Sequence, residues 1–225
     1  MPQNNPEETK QNLLKAARAE FLEKGFMNAS LRNICKNADC TTGALYFFFK
    51  DKEALFDAIV SGYAEKIKSL FLAHINAERS IMQDDPAALE KLSKMDYEEF
   101  KNKVMLSPEN EMADDNVVAV KFFDLIYDDY ESLILIVEKS AGTKYQHYLD
   151  DLIEICDAHL KDFTAVICKI RGIAPVDPYI LHWLSHLMME TCIQLFTHIS
   201  QKQKAMLLLP KMLHGVQSAF FSVFE

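Results

Sequence analysis

Residues 30–56 read SLRNICKNADCTTGALYFFFKDKEALF. Ser30 and Thr41 can each cap a helix, because a Ser or Thr oxygen accepts a backbone N–H left free in the first turn. Between them lies the turn Ala38-Asp39-Cys40, with Asp39 at a position where a positive φ is expected. Ile34 and Leu45 can hold the two short helices together, and Cys35 and Ala38 are small where the backbones must approach. Two short helices joined by a tight turn make a helix-turn-helix.

The flanks extend this reading. Upstream, Asn5 can cap a helix with Pro6 at its first position and Glu7 and Glu8 in its first turn. Leu13, Leu14, Ala17, Phe21 and Leu22 follow at helical spacing, and Gly25 ends the segment. Downstream, Asp51 opens a longer helix with Phe56, Ile59, Val60, Tyr63, Ile67, Leu70, Phe71 and His74 on one face. The stretch INAERSIMQDDP (75–86) reads as a polar joint. Pro86 then starts a helix through Leu89, Leu92 and Met95, and SPENEMADDN is a second joint. Further helices are expected near 115–129, 130–139, 144–171, 177–200 and 202–224. Breaks fall at Ala141-Gly142-Thr143 and at Gly172 to Pro175, and Pro210 should kink the last helix or mark its start. No segment alternates with period two. The expected fold is all-α: a helix-turn-helix domain over 1–52, then a larger helical domain over 53–225.

Composition narrows the function classes. Six Gly and seven Pro in 225 residues are few for a turn-rich β protein. The net charge is −9, which by itself argues against a polyanion partner. Residues 1–60, however, hold eight basic and eight acidic residues, so the whole excess of acid lies later in the chain. A polyanion should therefore meet the first part. The longest aliphatic run, Leu133 to Val137, is too short to span a membrane. The polar start MPQNNPEETK carries no signal-peptide pattern. Five Cys without a CxxC pair read as reduced thiols, and the expected location is cytoplasmic.

Ser30, Ala38, Thr41, Gly43, Leu45-Tyr46, Phe49, Lys52-Glu53 and Leu55 stand at the spacing of the TetR (tetracycline-repressor-like) regulators, and residues 8–60 resemble that family. Asp39, Cys40, Phe47 and Phe48 depart from its usual residues. The resemblance implies a homodimeric regulator that binds double-stranded operator DNA and is released by a small molecule, most often as a repressor. It implies a phosphate contact for the Tyr46 hydroxyl and another for Lys52. Ser30 can cap its helix and also reach a phosphate, while Arg32, Lys36 and Lys50 are further candidate contacts. Thr41, Thr42, Gly43 and Ala44 form the first turn of the recognition helix, where Ala44 and the Thr methyls can meet a thymine methyl. Phe47 cannot hydrogen-bond a phosphate; exposed, it would press on a sugar or a thymine methyl.

The later helices carry the other expectations. Apolar side chains nearly encircle 177–200 and the last segment, so the last two helices, with Leu213 and Phe220, are expected to meet a second copy. Phe122, Phe123, Tyr127, Tyr145, His182, Trp183, His186 and Met189 are the candidate ligand-pocket residues. His182, His186 and Glu190 follow at one-turn spacing, but without a further cluster no metal site is expected. No catalytic motif or cofactor loop is present, so neither an enzyme nor a cofactor is expected. The competing reading is a helical interaction or small-molecule-binding protein without DNA-binding activity.

Overall fold

The computed structural model describes residues 5–84 and 113–224, and every regular element among them is an α-helix. They are α1 (Pro6–Asn28), α2 (Leu31–Asn37), α3 (Thr42–Phe48), α4 (Lys52–Asp84), α5 (Ala113–Asp128), α6 (Tyr130–Glu138), α7 (Tyr148–Arg171), α8 (Pro178–His198) and α9 (Lys202–Ser222). The helix expected from Pro86 through Met95 lies outside the described residues.

The starts follow the side chains. Asn5 accepts from the Glu7 N–H at 3.2 Å, Asp51 from Ala54 at 2.8 Å and Asp177 from Tyr179 at 2.8 Å. Gly25, inside α1, takes φ 71° and ψ 163°, a region essentially restricted to glycine. It swings the Phe26 N–H away from the helix and onto the Lys139 carbonyl at 2.9 Å.

Two boundaries differ from the sequence reading, and a third question, the place of Pro210, is answered. α4 runs through the expected polar joint to Asp84, because Ala77, Glu78, Arg79, Met82 and Gln83 favour helix and no Gly or Pro interrupts them. α7 begins at Tyr148 rather than near 144. The Thr143 hydroxyl donates to the Ser140 carbonyl at 2.7 Å and accepts from the Tyr145 N–H at 3.0 Å, which holds the preceding residues in a turn. α9 starts at Lys202 and passes through Pro210, so the proline does not mark its start.

The chain divides into two compact units. The first comprises residues 5–66 and 129–149, and it takes in α6 from far along the sequence. Its centre is Phe21, Phe26 and Phe56, with Phe21 and Phe56 edge to face at 5.1 Å. Arg18 pairs with Asp129 at 2.7 Å, and Asp129 also accepts from the Ser132 hydroxyl at 2.7 Å at the start of α6. Lys144 and the Tyr145 hydroxyl both bond Asp57, and the Tyr148 hydroxyl donates to the Ala64 carbonyl. Among the described residues, the second unit comprises 67–84, 113–128 and 150–224. There α8 packs on α9, Phe123, Tyr127 and Phe196 form an aromatic cluster, and Ile167, Cys168, Phe221 and Phe224 form an apolar one.

The ion pairs of the first unit set its acid stability. Burial opposes the charge of Asp129, but the bonds from Arg18 and Ser132 prevail and hold its carboxyl below the usual range. Lys144 and Tyr145 do the same for Asp57 against its own burial. A carboxyl depressed in the fold contributes stability above its unfolded pKa of about 4 and loses it as pH falls through the folded value. Asp129→Asn is therefore expected to lower the melting temperature near neutral pH and to narrow its gap to the parent as pH falls below about 4. Circular-dichroism melts between pH 6 and 2.5 check this; a gap that stays constant contradicts it.

Candidate nucleic-acid interface

The interface is built on the α2–α3 corner. The Ser30 hydroxyl accepts from the Asn33 N–H at 3.4 Å, which starts α2, and the Ser30 N–H donates to the buried Glu20 carboxylate at 3.0 Å, which ties that start to α1. α2 ends with Asp39 at φ 50°, the sole positive-φ residue other than glycine among those described. The Cys40 N–H donates to Cys35 at 3.0 Å and the Asp39 N–H to Lys36 at 3.3 Å. This is the paired closure of a Schellman turn, with Asp where glycine is usual. The Thr41 hydroxyl then accepts from the Ala44 N–H at 3.1 Å and starts α3. Ile34 on α2 and Leu45 on α3 are both fully buried.

The corner leaves one side of α3 open. Thr41, Thr42 and Gly43 are exposed, Ala44 is half-buried, Tyr46 is 57% exposed and Phe47 is 79% exposed. Phe48 is half-buried and meets the Phe47 ring edge to face at 5.0 Å. Arg32, Lys36 and Lys50 are exposed as well.

Lys52 is placed differently from a lysine free to meet phosphate. Its ammonium donates to the carbonyls of Phe26 at 2.6 Å, Met27 at 3.1 Å and Ala29 at 3.2 Å, and lies 4.6 Å from the centre of the Phe26 ring. An ammonium has three donors, so all are engaged. It joins the start of α4 to the carbonyls at the end of α1, and burial lowers its pKa. Sequence spacing gave no sign of this, because the acceptors are main-chain atoms far upstream.

The candidate pocket residues have the following surroundings. Phe123 and Tyr127 pack with Phe196, and the Tyr127 hydroxyl donates to the Ile199 carbonyl at 2.7 Å. Tyr145 belongs to the first unit, where its ring is buried and its hydroxyl bonds Asp57. His182 Nδ1 is 2.7 Å from Asp157, and its ring meets that of His186 edge to face at 4.5 Å. Glu190 instead accepts from Gln194, and no group of three metal-ligating side chains is gathered among the described residues. Trp183 is 49% exposed, while Phe122 and Met189 are half-buried.

Among the described residues, a helix-turn-helix is set among elements that are all α-helices. Residues 13–59 match the model of the family described as bacterial regulatory proteins, tetR family. The regulator UidR of Escherichia coli K12 is 39% identical over 69 residues, which are 31% of this chain and 35% of that protein. The chain thus spans about a third of the length of this curated relative. The repressor KstR2 of Mycolicibacterium smegmatis is 26% identical over 124 residues, covering 44% of this chain and 60% of its own. The crystal structure of a transcriptional regulator (TerR/AcrR family) from Aquifex aeolicus VF5 aligns over 93% of this chain and 98% of its own, at 21% identity and a TM-score of 0.50, a likeness of fold. Residues 13–59 are thus similar to the N-terminal helix-turn-helix of the TetR family. Among the described residues no helix is long and apolar enough to cross a membrane.

Proposed function

We propose that the protein is a homodimeric transcriptional repressor that binds a palindromic operator in duplex DNA and leaves it when a small molecule binds the second unit. The observation that carries this reading is the capped α2–α3 corner with its exposed Thr42, Gly43, Ala44, Tyr46 and Phe47 face, within the segment that matches the family model. Arg32, Lys36, Lys50 and the Tyr46 hydroxyl supply phosphate contacts, which position the corner without reading sequence. Ser30 and Thr41 act through the helix starts they hold, and Lys52 acts by fixing α4 to the end of α1.

The second copy meets α8 and α9. Tyr179, Trp183 and Leu207 lie exposed there, an apolar surface that suits a partner better than water. Phe220, expected at the interface, is half-buried and packs with Phe163, Phe221 and Phe224 of the second unit. The release site draws on the second unit's residues, Phe122, Phe123, Tyr127, His182, Trp183, His186 and Met189, without Tyr145. A ligand shifts the balance only if it binds the released state more tightly, so DNA must weaken its binding by the same factor.

Two-fold symmetry requires two half-sites about one helical turn apart, or a little more. Selection from random duplexes should return an inverted repeat, and metabolites that alter Trp183 emission should release the selected duplex. Asymmetric sites alone would contradict the dimeric reading, and ligands that bind without releasing DNA would contradict the switch.

A further inference from the structure

α3 reads TGALYFF from Thr42 to Phe48. It contains no Arg, Lys, Asn, Gln, Asp or Glu. Those side chains recognise a base by hydrogen bonding, Arg or Lys bidentate to guanine and Asn or Gln bidentate to adenine. The element that the corner presents therefore has no group for bidentate reading of a purine. Its hydrogen-bonding side chains are the hydroxyls of Thr42 and Tyr46, joined by Thr41 at the cap, and the Thr41 oxygen already accepts from the Ala44 N–H.

What α3 offers instead is apolar. Gly43, Ala44 and Phe47 share a face, because residues three and four apart are neighbours on a helix. Phe47 is the most exposed large apolar side chain among the described residues, at 79%. Its ring is set edge to face against Phe48, whose ring lies beside that of the buried Phe49. It thus stands out from a supported base. Gly43 leaves the face low: a Cβ there would meet only the Thr41 hydroxyl oxygen, at 3.7 Å. In the major groove the apolar group available to such a face is the thymine C5-methyl.

Building on the proposed DNA binding, we propose that this protein recognises its operator through thymine methyl groups, with Phe47 as the residue that determines specificity and Ala44 beside it. The bidentate bonding to purine edges that marks many recognition helices has no counterpart on α3. Arg32, Lys36 and Lys50 hold the phosphates and contribute affinity common to all sequences.

The test uses the full-length protein and the duplex selected from random sequence. Each thymine is replaced in turn by uracil, which deletes the methyl and leaves the base pair unchanged. Burial of one CH2-sized group corresponds to a loss of about fourfold, so a symmetric pair of replacements should weaken binding about 15-fold. The loss should appear at one thymine in each half-site or more, and should vanish in Phe47→Ala, which binds thymine and uracil duplexes alike. Phe47 is largely exposed, so its removal leaves the core intact, and a thermal melt of the variant verifies this. An all-uracil duplex bound as tightly as the parent overturns the inference. So does a uracil penalty that persists unchanged in folded Phe47→Ala, or a larger penalty from 7-deazapurines, which lack the N7 acceptor. If no duplex is bound at any salt concentration, the DNA-binding reading itself fails, and this inference fails with it.

Discussion

Leu207→Arg is expected to separate the protein into single chains. Leu207 is 73% exposed on α9, in the same unit as exposed Tyr179 and Trp183 on α8. If that surface meets its twin, two arginines related by symmetry must be buried without partners. An unpaired buried charge costs about 3–5 kcal/mol, so the dimer should weaken by a hundredfold or more. Within one chain the substitution is mild, because the position is open. Light scattering should show half the parent mass at micromolar protein. Trp183 emission should shift to the red as its ring is returned to water. Operator affinity should fall with it, since one chain can hold only one half-site. An undiminished dimer would place the interface elsewhere.

Phe21→Ala is expected to unfold the first unit. Phe21 is fully buried, with ring centres 5.1 Å from Phe56 and 6.0 Å from Phe26. Truncating a buried Phe to Ala typically costs about 3–5 kcal/mol, the lost burial plus the cavity left behind. That is a large part of the roughly 5–15 kcal/mol that stabilises an ordinary domain. The loss strikes the support beneath the α2–α3 corner: Ser30 is tied to α1 through Glu20, and Lys52 through the carbonyls that follow Phe26. DNA binding should disappear at temperatures where the parent still binds. Hydrogen exchange should show early opening of residues within 6–66 and 129–149. Normal operator affinity together with an unchanged melt would contradict this account of the core.

The helix starts were legible because each rests on one side chain and a neighbouring N–H. Asn5, Ser30, Thr41 and Asp51 all make the capping bond their positions implied. Asp39 was legible for a related reason: the turn must reverse the chain within a few residues, and one of them must take a positive φ. What escaped the sequence depends on distant partners. Nothing in the neighbourhood of Lys52 marks the Phe26, Met27 and Ala29 carbonyls as its acceptors. The inclusion of α6 in the first unit rests on Arg18 with Asp129 and Asp57 with Tyr145, pairs separated by most of a domain's length of chain. The length of α4 escaped for the opposite reason. Its polar residues near 76–84 looked like a joint, yet polarity does not end a helix when the residues are good helix formers. The partner of Tyr145 escaped as well, because side-chain type alone does not show that its hydroxyl bonds Asp57.

The central claim is that the α2–α3 corner holds duplex DNA through its phosphates and grooves. The most direct measurement is fluorescence anisotropy of a labelled selected duplex across a range of salt concentrations. The logarithm of the binding constant should fall linearly with the logarithm of salt concentration, by about 0.9 for each phosphate contact. In a protein with Arg32, Lys36 and Lys50 all replaced by alanine, the slope should become shallower by about 0.9 for each contact removed, while the melting temperature stays near that of the parent. No saturable binding at low salt, or a slope unchanged by the three replacements, would contradict the claim.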